Sequence, residues 1–527
     1  MIANDFSDIL LRLLAYDFVI LAKSHRRGAL TTPPRFSLRL PYICGLLRCL
    51  ATAPGKKSGL GLMGLIALSL GTLGCATYHP HPISPSQTIQ DFEGRRLDDV
   101  GLKEFITDNL HHEVSHWPRK YWDMNSLVLA AFYFHPDLDV ARAKWGVTKA
   151  GVVTAGQHPN PSVGIRPQYV SNADIGTLPW LMGFTFDIPI ETARKRNYRI
   201  SGAKHQSEAA RLNIETVAWQ VRSRLRTSLL DFSAAEKSVE VLGKQLKLQE
   251  ENLKLLGARS SDNLLSPFVL SEARLQMNQT SLSMREAEKQ VAEARVRVAD
   301  ALGLPVRALD GMDLAPGFFD HPTERLPTDE VRAAALLGRP DILEALALYA
   351  AAESALRLEI AKQNPDINIA PGYEFDQGKN KWGFGFSITL PLFNRNKGPI
   401  AEAEAKRSEL EASFLALQAK IIGEIDQAQA SYSAALKKLK VADALLSEQK
   451  NKLRLVQESA GQGEMRRRSL LQAELEYDSI ALQRLNALVD AQKSLGLLED
   501  AVQHPLLSSE RLSISPEEAP RSKDKSR

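Results

Sequence analysis

The feature of this sequence that most constrains its fold is an internal repeat. Two proline-containing pairs recur at a spacing of 204 residues: Pro136-Asp137 as Pro340-Asp341, and Asn160-Pro161 as Asn364-Pro365. Further along, the spacing becomes 202 residues, between Pro189 and Pro391. Three matches in the same order predict a structural unit that is present twice in the chain.

Each copy contains two stretches in which large apolar residues alternate with small or polar ones. This period of two is typical of β-strands, so each copy is predicted to supply two strands with one apolar face. Such strands suit a half-buried soluble sheet, or a membrane barrel with lipid outside and water inside. Pro167 and Pro371 each remove a backbone donor and predict kinks or edge positions. The apolar positions of the second strand in each copy, predicted to face the membrane in a barrel, are Trp180, Met182, Phe184, Phe186, Trp382, Phe384, Phe386 and Ile388.

Long helices are predicted on either side of the strands. One helix of about thirty residues precedes each strand pair, near residues 125–156 and 328–363. A longer helix follows, in which apolar residues recur every seven positions, as at Ala218, Leu225 and Phe232. A sustained seven-residue period predicts coiled-coil packing, and about sixty residues make a rod of roughly 90 Å. The rods break at tips, residues 257–267 and 461–468, and shorter helices return from them.

The amino-terminal region resembles an export signal. Lys56-Lys57 precedes an uncharged stretch from Gly59 to Leu73, which is shorter than the roughly 20 residues of a spanning helix. Because Cys75 follows directly after Gly74, the region resembles a bacterial lipoprotein signal, and Cys75 is the expected lipid anchor. Cleavage nearby without lipidation is the alternative. Residues 1–74 are the expected leader, and 1–54 suggest an unusually long leader or a start assigned too far upstream.

Six segments follow from these patterns. They are the leader (1–74), a polar amino-terminal linker (75–121), repeat 1 (122–306), an inter-repeat linker (307–327), repeat 2 (328–504) and a disordered tail (505–527). Histidines are scattered in the first linker without the carboxylates or thiols of a tight metal set, which favours a solvated linker over a metal site. The formal net charge of +4 gives no reason to expect nucleic acid as a partner.

The strand count predicts an oligomer. Four strands cannot close a barrel of useful diameter, and an isolated sheet would expose two edges and an apolar face. Three chains would supply twelve strands, an even number within the membrane-barrel range. No Ser, His and Asp set or paired carboxylates lie on a recognisable loop, so an enzyme such as a hydrolase is not expected. A soluble coiled-coil scaffold would share the heptads but would not explain amphipathic strands at equal places in both copies.

The repeated hairpins, the Asn-Pro before each first strand and the Gly-Leu pairs near the end of each repeat (Gly303-Leu304 and Gly496-Leu497) resemble the TolC family of outer-membrane efflux channels. The resemblance extends over residues 122–507. Within the family, the segment Pro391–Ile400 resembles the branch that serves cobalt-zinc-cadmium efflux. The implied fold is mainly helical with a four-stranded β segment, trimerising into a 12-stranded outer-membrane barrel that a periplasmic helical barrel continues.

The same resemblance implies function and partners. The expected function is an exit duct that passes heavy-metal cations from a periplasmic adaptor and an inner-membrane pump of the resistance-nodulation-division class to the exterior. The alternative cargo is drugs or other small organic molecules. The implied location is the outer membrane, with lipid around the barrel and the helices in the periplasm. Because the pump supplies the transport energy, no cofactor, catalytic group or bound metal is expected.

The helical tips are the expected contact with the adaptor. Members of the family often carry paired aspartates just after the second tip, but the corresponding positions here hold Ser469 and Gln472. A gate built on an aspartate ring is therefore not expected. Arginines instead crowd this tip, either to meet an acidic partner or as a solvated cluster. The residues expected to dock are Gly257, Arg259, Gly463, Arg466 and Arg467.

Overall fold

The structure is a computed structural model. It describes residues 78–110, 117–171, 176, 178–261, 266–315, 317–323, 329–376, 378–458 and 464–506. The chain divides into two compact units, Met1–Ile83 and Ser84–Arg527, and the fold described below is that of the second unit. Cys75 and Gly463 lie outside the described residues.

The two predicted repeats are present, and each has the same order of elements. Before them come helices α1 (Pro85–Glu93) and α2 (Val100–Leu110) and the short strand β1 (Tyr121–Trp122). Repeat 1 contains α3 (Met124–Phe134), α4 (Pro136–Ala155), β2 (Ser162–Tyr169), β3 (Trp180–Ile190), α5 (Lys195–Ser261) and α6 (Pro267–Leu302). A 3-10 turn (Val306–Leu309) and β4 (Asp313–Leu314) follow. Repeat 2 contains α7 (Asp329–Gly338), α8 (Pro340–Ala361), β5 (Ile367–Asp376), β6 (Lys379–Ile388), α9 (Lys397–Glu458) and α10 (Glu464–Val502).

The first helix of each repeat is broken, where the sequence pattern predicts one helix of about thirty residues. His135 and Arg339 separate the two halves, with ψ angles of 123° and 136°, and each precedes a proline. A proline ring clashes with a helical conformation of the residue before it, so that residue becomes extended. Pro136 and Pro340 then begin α4 and α8, where the missing proline N–H costs nothing.

The long helices pack as the heptads predict. Helix α5 has 67 residues, a rod of about 100 Å, and packs against α4, α6, α8 and α10. Helix α9 has 62 residues and packs against α8 and α10. One hydrophobic core joins α3, α5 and α6 around Leu225 and Leu302, and smaller cores join α9 to α10 around Tyr432 and Leu439.

The two segments predicted as linkers both contribute to the first core, so the amino-terminal one is packed rather than solvated as predicted. Leu102 and Ile106 of α2 are fully buried, and Phe319 between the repeats is 3% exposed. Strand β1 pairs in parallel with β4, so the two segments meet. The apolar residues are too sparse here to show a helical period, but they are buried because other elements close over them.

Arg95 fixes the amino-terminal segment to repeat 1. Its Nη1 donates hydrogen bonds to the carbonyl oxygens of Phe134 (2.8 Å) and Gly303 (2.9 Å). Gly303 ends α6 with a φ of 71°, and a Cβ there would lie 2.7 Å from the Phe134 oxygen. A larger residue at this position would therefore suffer both backbone strain and a clash.

The four predicted strands form one antiparallel sheet in the order β2-β3-β5-β6. The ladder between β3 and β5 pairs Ile190 with Ile367 at one end and Leu181 with Asp376 at the other. It omits Phe186 and Asp187, which face Pro371 and Ala370, because a proline donates no ladder hydrogen bond. Pro167 lies in the edge strand β2, as predicted for a strand proline, whereas Pro371 lies at the gap in the interior strand β5.

Candidate channel wall

The apolar face of the sheet is exposed. In β6, Trp382, Phe384 and Phe386 are 82%, 73% and 70% exposed. The predicted membrane-facing positions all lie on this face and are all exposed: Trp180, Met182, Phe184, Phe186, Trp382, Phe384, Phe386 and Ile388. A continuous exposed apolar face of this kind is typical of a surface that contacts a membrane or another protein.

Two pairs of aromatic residues lie on this face toward the end of the sheet where both hairpins turn. Tyr169 packs against Trp180 with ring centroids 5.1 Å apart, and Tyr373 packs against Trp382 at 4.9 Å. In each pair the two residues are ladder partners, so the same arrangement occurs once per repeat. Tyr and Trp near the ends of strands with an apolar face are typical of the interface between membrane and water.

The opposite face is small and polar, and it is concave. A cavity of about 420 Å³ lies against it, lined mainly by residues of this face, among them Arg166, Gly183, Thr185, Gly372, Glu374, Lys381 and Gly385. Arg166, Gly183, Glu374 and Lys381 are successive ladder partners across the sheet. Lys381 also pairs with Asp376. Acidic and basic groups are therefore mixed on the concave face.

The change from strand to long helix has the same backbone in both repeats. Ala193 and Arg194 have φ angles of 54° and 59°, and Arg395 and Asn396 have φ angles of 46° and 56°. Two successive non-glycine residues in the left-handed region are uncommon. Because the second pair follows the first by 202 residues, the bend was duplicated with the repeat.

Hydrogen bonds fix the bend of repeat 1 to the start of β5. The backbone N–H of Thr192 donates to Asp366 Oδ1 (2.8 Å), and its hydroxyl donates to the Pro365 carbonyl (2.6 Å). Lys195 Nζ lies 2.7 Å from Asp366 Oδ1 and is buried. Lys195 and these backbone and side-chain hydrogen bonds outweigh the effect of burial, so the pKa of Asp366 is lowered.

A bidentate ion pair joins the two helical hairpins near their tips. Arg467 of α10 donates to both carboxylate oxygens of Glu251 in α5, at 2.7 and 2.5 Å. The hydrogen bond from Arg467 lowers the pKa of Glu251. Sequence reasoning placed Arg467 at the tip but missed its partner, because the two residues are 216 positions apart.

The other predicted tip and gate residues lie on the same helices. Gly257 lies in α5. Arg259 and Arg466 lie in α5 and α10, with side chains outside the described part of the chain. Ser469 is exposed on α10, and Gln472 donates to Glu476 (3.1 Å) in the same helix. Glu476 also pairs with Lys452 of α9, so this region is polar and hydrogen bonded.

A buried charge cluster joins the repeats, and the sequence analysis did not find it. Arg226 of α5 and Glu499 of α10 are 2% and 1% exposed, with 3.4 Å between Nε and Oε2. Arg222 donates to the same carboxylate oxygen at 3.2 Å. Gly496 makes room for Arg226, since a Cβ there would lie 2.5 Å from Nη1. Arg222 and Arg226 fall one turn apart within the apolar heptads, which is the signal that could have indicated the cluster.

Burial shifts the pKa values in this cluster. It lowers the pKa of Arg226 despite the opposing effect of Glu499. It also raises the pKa of Asp500, which accepts hydrogen bonds from Ser223 (2.5 Å) and Trp219 (2.9 Å). The cluster lies at a packed helix interface, where it links the repeats.

The described part of the chain shows neither a metal site nor a membrane-spanning helix. The histidines, aspartates and glutamates of the described residues include no group of three or more arranged to hold a metal ion. None of the helices in this part of the chain has both the length and the apolar character that a membrane span requires.

Comparison with known proteins identifies the family. The profile of the family described as Outer membrane efflux protein matches residues 131–304 and 331–502, one segment in each repeat. The chain belongs to the outer membrane efflux protein family. Members of this family are channels rather than enzymes.

Three curated relatives of this efflux protein are similar over different lengths. The cobalt-zinc-cadmium resistance protein CzcC of Cupriavidus metallidurans is 22% identical over 53% of this chain and 65% of its own length. The pyoverdine export outer membrane protein OpmQ of Pseudomonas putida is 26% identical over 38% of this chain. The matches thus span less than two thirds of CzcC and 44% of OpmQ. Outer membrane protein OprJ of Pseudomonas aeruginosa is 23% identical over 84% of this chain and 96% of its own length.

Solved structures share the fold of this efflux protein. The outer-membrane channel OprN has a TM-score of 0.60 and 18% identity, covering 83% of this chain and 100% of its own. The channel CusC has a TM-score of 0.59 and 15% identity, covering 82% of this chain and 100% of its own. The predicted fold class is therefore confirmed: repeated helical hairpins with a small sheet.

Proposed function

We propose that three copies of this chain form the exit duct of an efflux system. The observation that carries the proposal is the sheet itself: four strands, two free edges, an exposed apolar face and a concave polar face. Three such sheets joined edge to edge give twelve strands, with lipid outside and water inside. The long helices continue the tube into the periplasm.

The aromatic pairs support this orientation in the membrane. Tyr169 with Trp180 and Tyr373 with Trp382 would lie at the outer interface, where both hairpins turn. The bends at Ala193-Arg194 and Arg395-Asn396 would lie at the periplasmic side, since the long helices begin there. The exposed apolar positions between these levels would contact lipid.

The proposed partners follow from the far end of the helices. A periplasmic adaptor would bind the helical tips, near Gly257 and Arg467, and an inner-membrane pump of the resistance-nodulation-division class would supply the transport energy. Neither nucleic acid nor a cofactor has a place in this scheme. Cys75 would carry the lipid anchor in the outer membrane, after removal of residues 1–74.

The proposed cargo is heavy-metal cations. Similarity to CzcC supports this proposal, together with the segment Pro391–Ile400. A second candidate is small organic molecules, which the similarity to OpmQ and the longer match to OprJ favour. The mixed charges of the concave face suit either cargo, because they favour neither sign strongly. Selectivity would then reside in the pump.

Fractionation and cross-linking test the duct. We expect the protein in the outer membrane fraction, and cross-linking of detergent extracts should give a trimer. Recovery in the soluble periplasm, or a monomer alone after cross-linking, would refute the proposal. Mass spectrometry of the mature amino terminus tests the anchor, since an unmodified residue other than Cys75 there would exclude it.

A deletion strain tests the cargo. We expect greater sensitivity to zinc, cobalt and cadmium, restored by the wild-type gene, with unchanged sensitivity to dyes and antibiotics. The reverse pattern would favour the second candidate and reject the metals.

A further inference from the structure

The two edge strands of the sheet, β2 and β6, correspond through the repeat to the interior strands β5 and β3. The edge strands nevertheless differ from their interior counterparts. Strand β3 has eleven residues and pairs with β5 from Leu181 to Ile190, apart from the gap at Phe186 and Asp187. The corresponding strand β6 ends at Ile388. Leu390 and Leu392, which correspond to Ile188 and Ile190, therefore lie beyond its end and are 64% and 66% exposed.

The missing partner explains the difference. Ile188 and Ile190 are held in β3 by Ile369 and Ile367 of β5. Within the described residues, no strand pairs with the outer side of β6, and none pairs with the outer side of β2, which corresponds to β5. In the proposed trimer β6 of one copy lies beside β2 of the next, so the second copy supplies the missing strand.

The repeat then fixes how these strands pair. Residues of β6 follow those of β3 by 202 positions, and residues of β2 precede those of β5 by 204. We infer that β6 of one copy extends to Leu392 and pairs with β2 of the next in the register of β3 with β5. Leu390 lies opposite Ile165, and Leu392 lies opposite Val163. This inference rests on the proposed function, since it requires a barrel of several copies.

Two properties of the sheet agree with this register. It places Leu390 and Leu392 on the same face as Val163 and Ile165, which are 58% and 59% exposed. The apolar face therefore continues across the seam, by which we mean the junction between β6 of one copy and β2 of the next. It also places Pro167 opposite Ile388. The corresponding pair in the chain, Pro371 opposite Phe186, is where the β3–β5 ladder has its gap. Pro167 therefore loses no hydrogen bond that this register requires.

The base of the seam differs from its counterpart inside the chain. Asn394 and Ser162 correspond to Thr192 and Asp366, and Lys397 corresponds to Lys195. The seam would thus lack the carboxylate that Lys195 contacts at 2.7 Å. An aspartate at position 162 would restore it and strengthen the contact between copies.

Paired cysteines test the register. The sequence has three cysteines, none after Cys75, so the strands carry no competing thiol. We expect the Ile165→Cys, Leu390→Cys variant to form disulfide-linked oligomers on oxidation in the membrane. The pairs Ile165→Cys, Ile388→Cys and Val163→Cys, Leu390→Cys are shifted by two residues. They should give about tenfold less product, because diagonal positions are roughly 7–8 Å apart and a disulfide needs about 4 Å between Cβ atoms.

A matched control lies within the chain. Ile188→Cys, Ile369→Cys is the corresponding pair and should close inside one copy, without oligomers. Equal or greater yield from a shifted pair would overturn the register while leaving the trimer intact. The register would also be overturned if chemical cross-linking gives a trimer but none of the three cysteine pairs across the seam forms a disulfide. Absence of any trimer would instead refute the proposed duct.

A gain of stability gives an independent measurement. Ser162→Asp should raise the temperature at which the trimer dissociates by a few degrees, about what an added ion pair provides. Ser162→Asn has the same shape without the charge and should not raise it. An equal temperature for the two variants would contradict the predicted position of Lys397 beside residue 162 of the next copy.

Discussion

Arg467 and Glu251 form the bidentate ion pair that holds the start of α10 against α5 near the helical tips. Each side chain is 41% exposed, so water and salt weaken the pair. Its value is on the order of 0.2–1 kcal/mol, which changes an opening equilibrium by up to about fivefold. The pair restrains the tips without making their separation prohibitive.

Removal of this pair should loosen the tips. We expect Arg467→Ala to increase the sensitivity of cells to vancomycin, which normally crosses the outer membrane poorly. The exchange Glu251→Arg, Arg467→Glu should restore resistance. Arg454→Ala is the control, because Arg454 pairs with Glu458 in its own helix. An equal effect of Arg454→Ala would show that tip charge, rather than the link between hairpins, is responsible.

Breaking the buried charge cluster between the repeats should strongly reduce the stability of the protein. We expect Glu499→Gln to destabilise the protein by about 3–5 kcal/mol, because it leaves Arg226 buried without an anion. Lys438→Ala removes the exposed pair with Asp490 and should cost under about 1 kcal/mol. Denaturant unfolding of the detergent-solubilised protein measures both. Similar midpoints for the two variants would contradict the buried role of Glu499.

Stability should fall in acid through His135. Burial lowers its pKa, although Asp137 opposes the shift, and its neutral Nδ1 accepts a hydrogen bond from the Asp137 N–H. The unfolded chain therefore binds this proton more readily. The contribution of His135 to the free energy of unfolding is complete above about pH 6.5. It is lost as the pH falls below that value, by up to about 1.4 kcal/mol for each pH unit.

The test is a comparison of unfolding midpoints at pH 7.5 and 5.5. His135→Asn keeps a residue able to cap α4 and should reduce the difference between the two midpoints. His158→Asn changes an exposed histidine and should leave it as in the wild type. If His135→Asn leaves the difference unchanged, other groups carry the acid sensitivity.

Adjacent positions of β6 should respond oppositely to charge. We expect Phe386→Arg to reduce assembled protein in the outer membrane, since arginine facing lipid near the midplane costs about 2–4 kcal/mol. Ser387→Arg lies on the concave face and should assemble normally. Immunoblots of outer membrane fractions, with and without heating, compare them. Equal loss in both variants would argue against lipid on the Phe386 face.

The position of the repeats and strands could be predicted from sequence because their signals are local. The alternation at Trp382, Phe384 and Phe386 and the heptads of α5 each depend on near neighbours, which share one face. The break at His135 was missed although Pro136 marked it, since the apolar pattern continues across it. The burial of Leu102 and Ile106 was missed because it depends on distant elements.

The sequence by itself determined the duplication, the two strands in each copy and the rods that follow them, because periodicity and spacing are written along the chain. Only the tertiary structure decided which residues meet across long separations: Arg467 with Glu251, Arg226 with Glu499, and Thr192 with Asp366. The spacing of charged residues along the sequence does not indicate which residues they pair with. Their pairing depends on how the rods align, which the packing of many apolar side chains sets together.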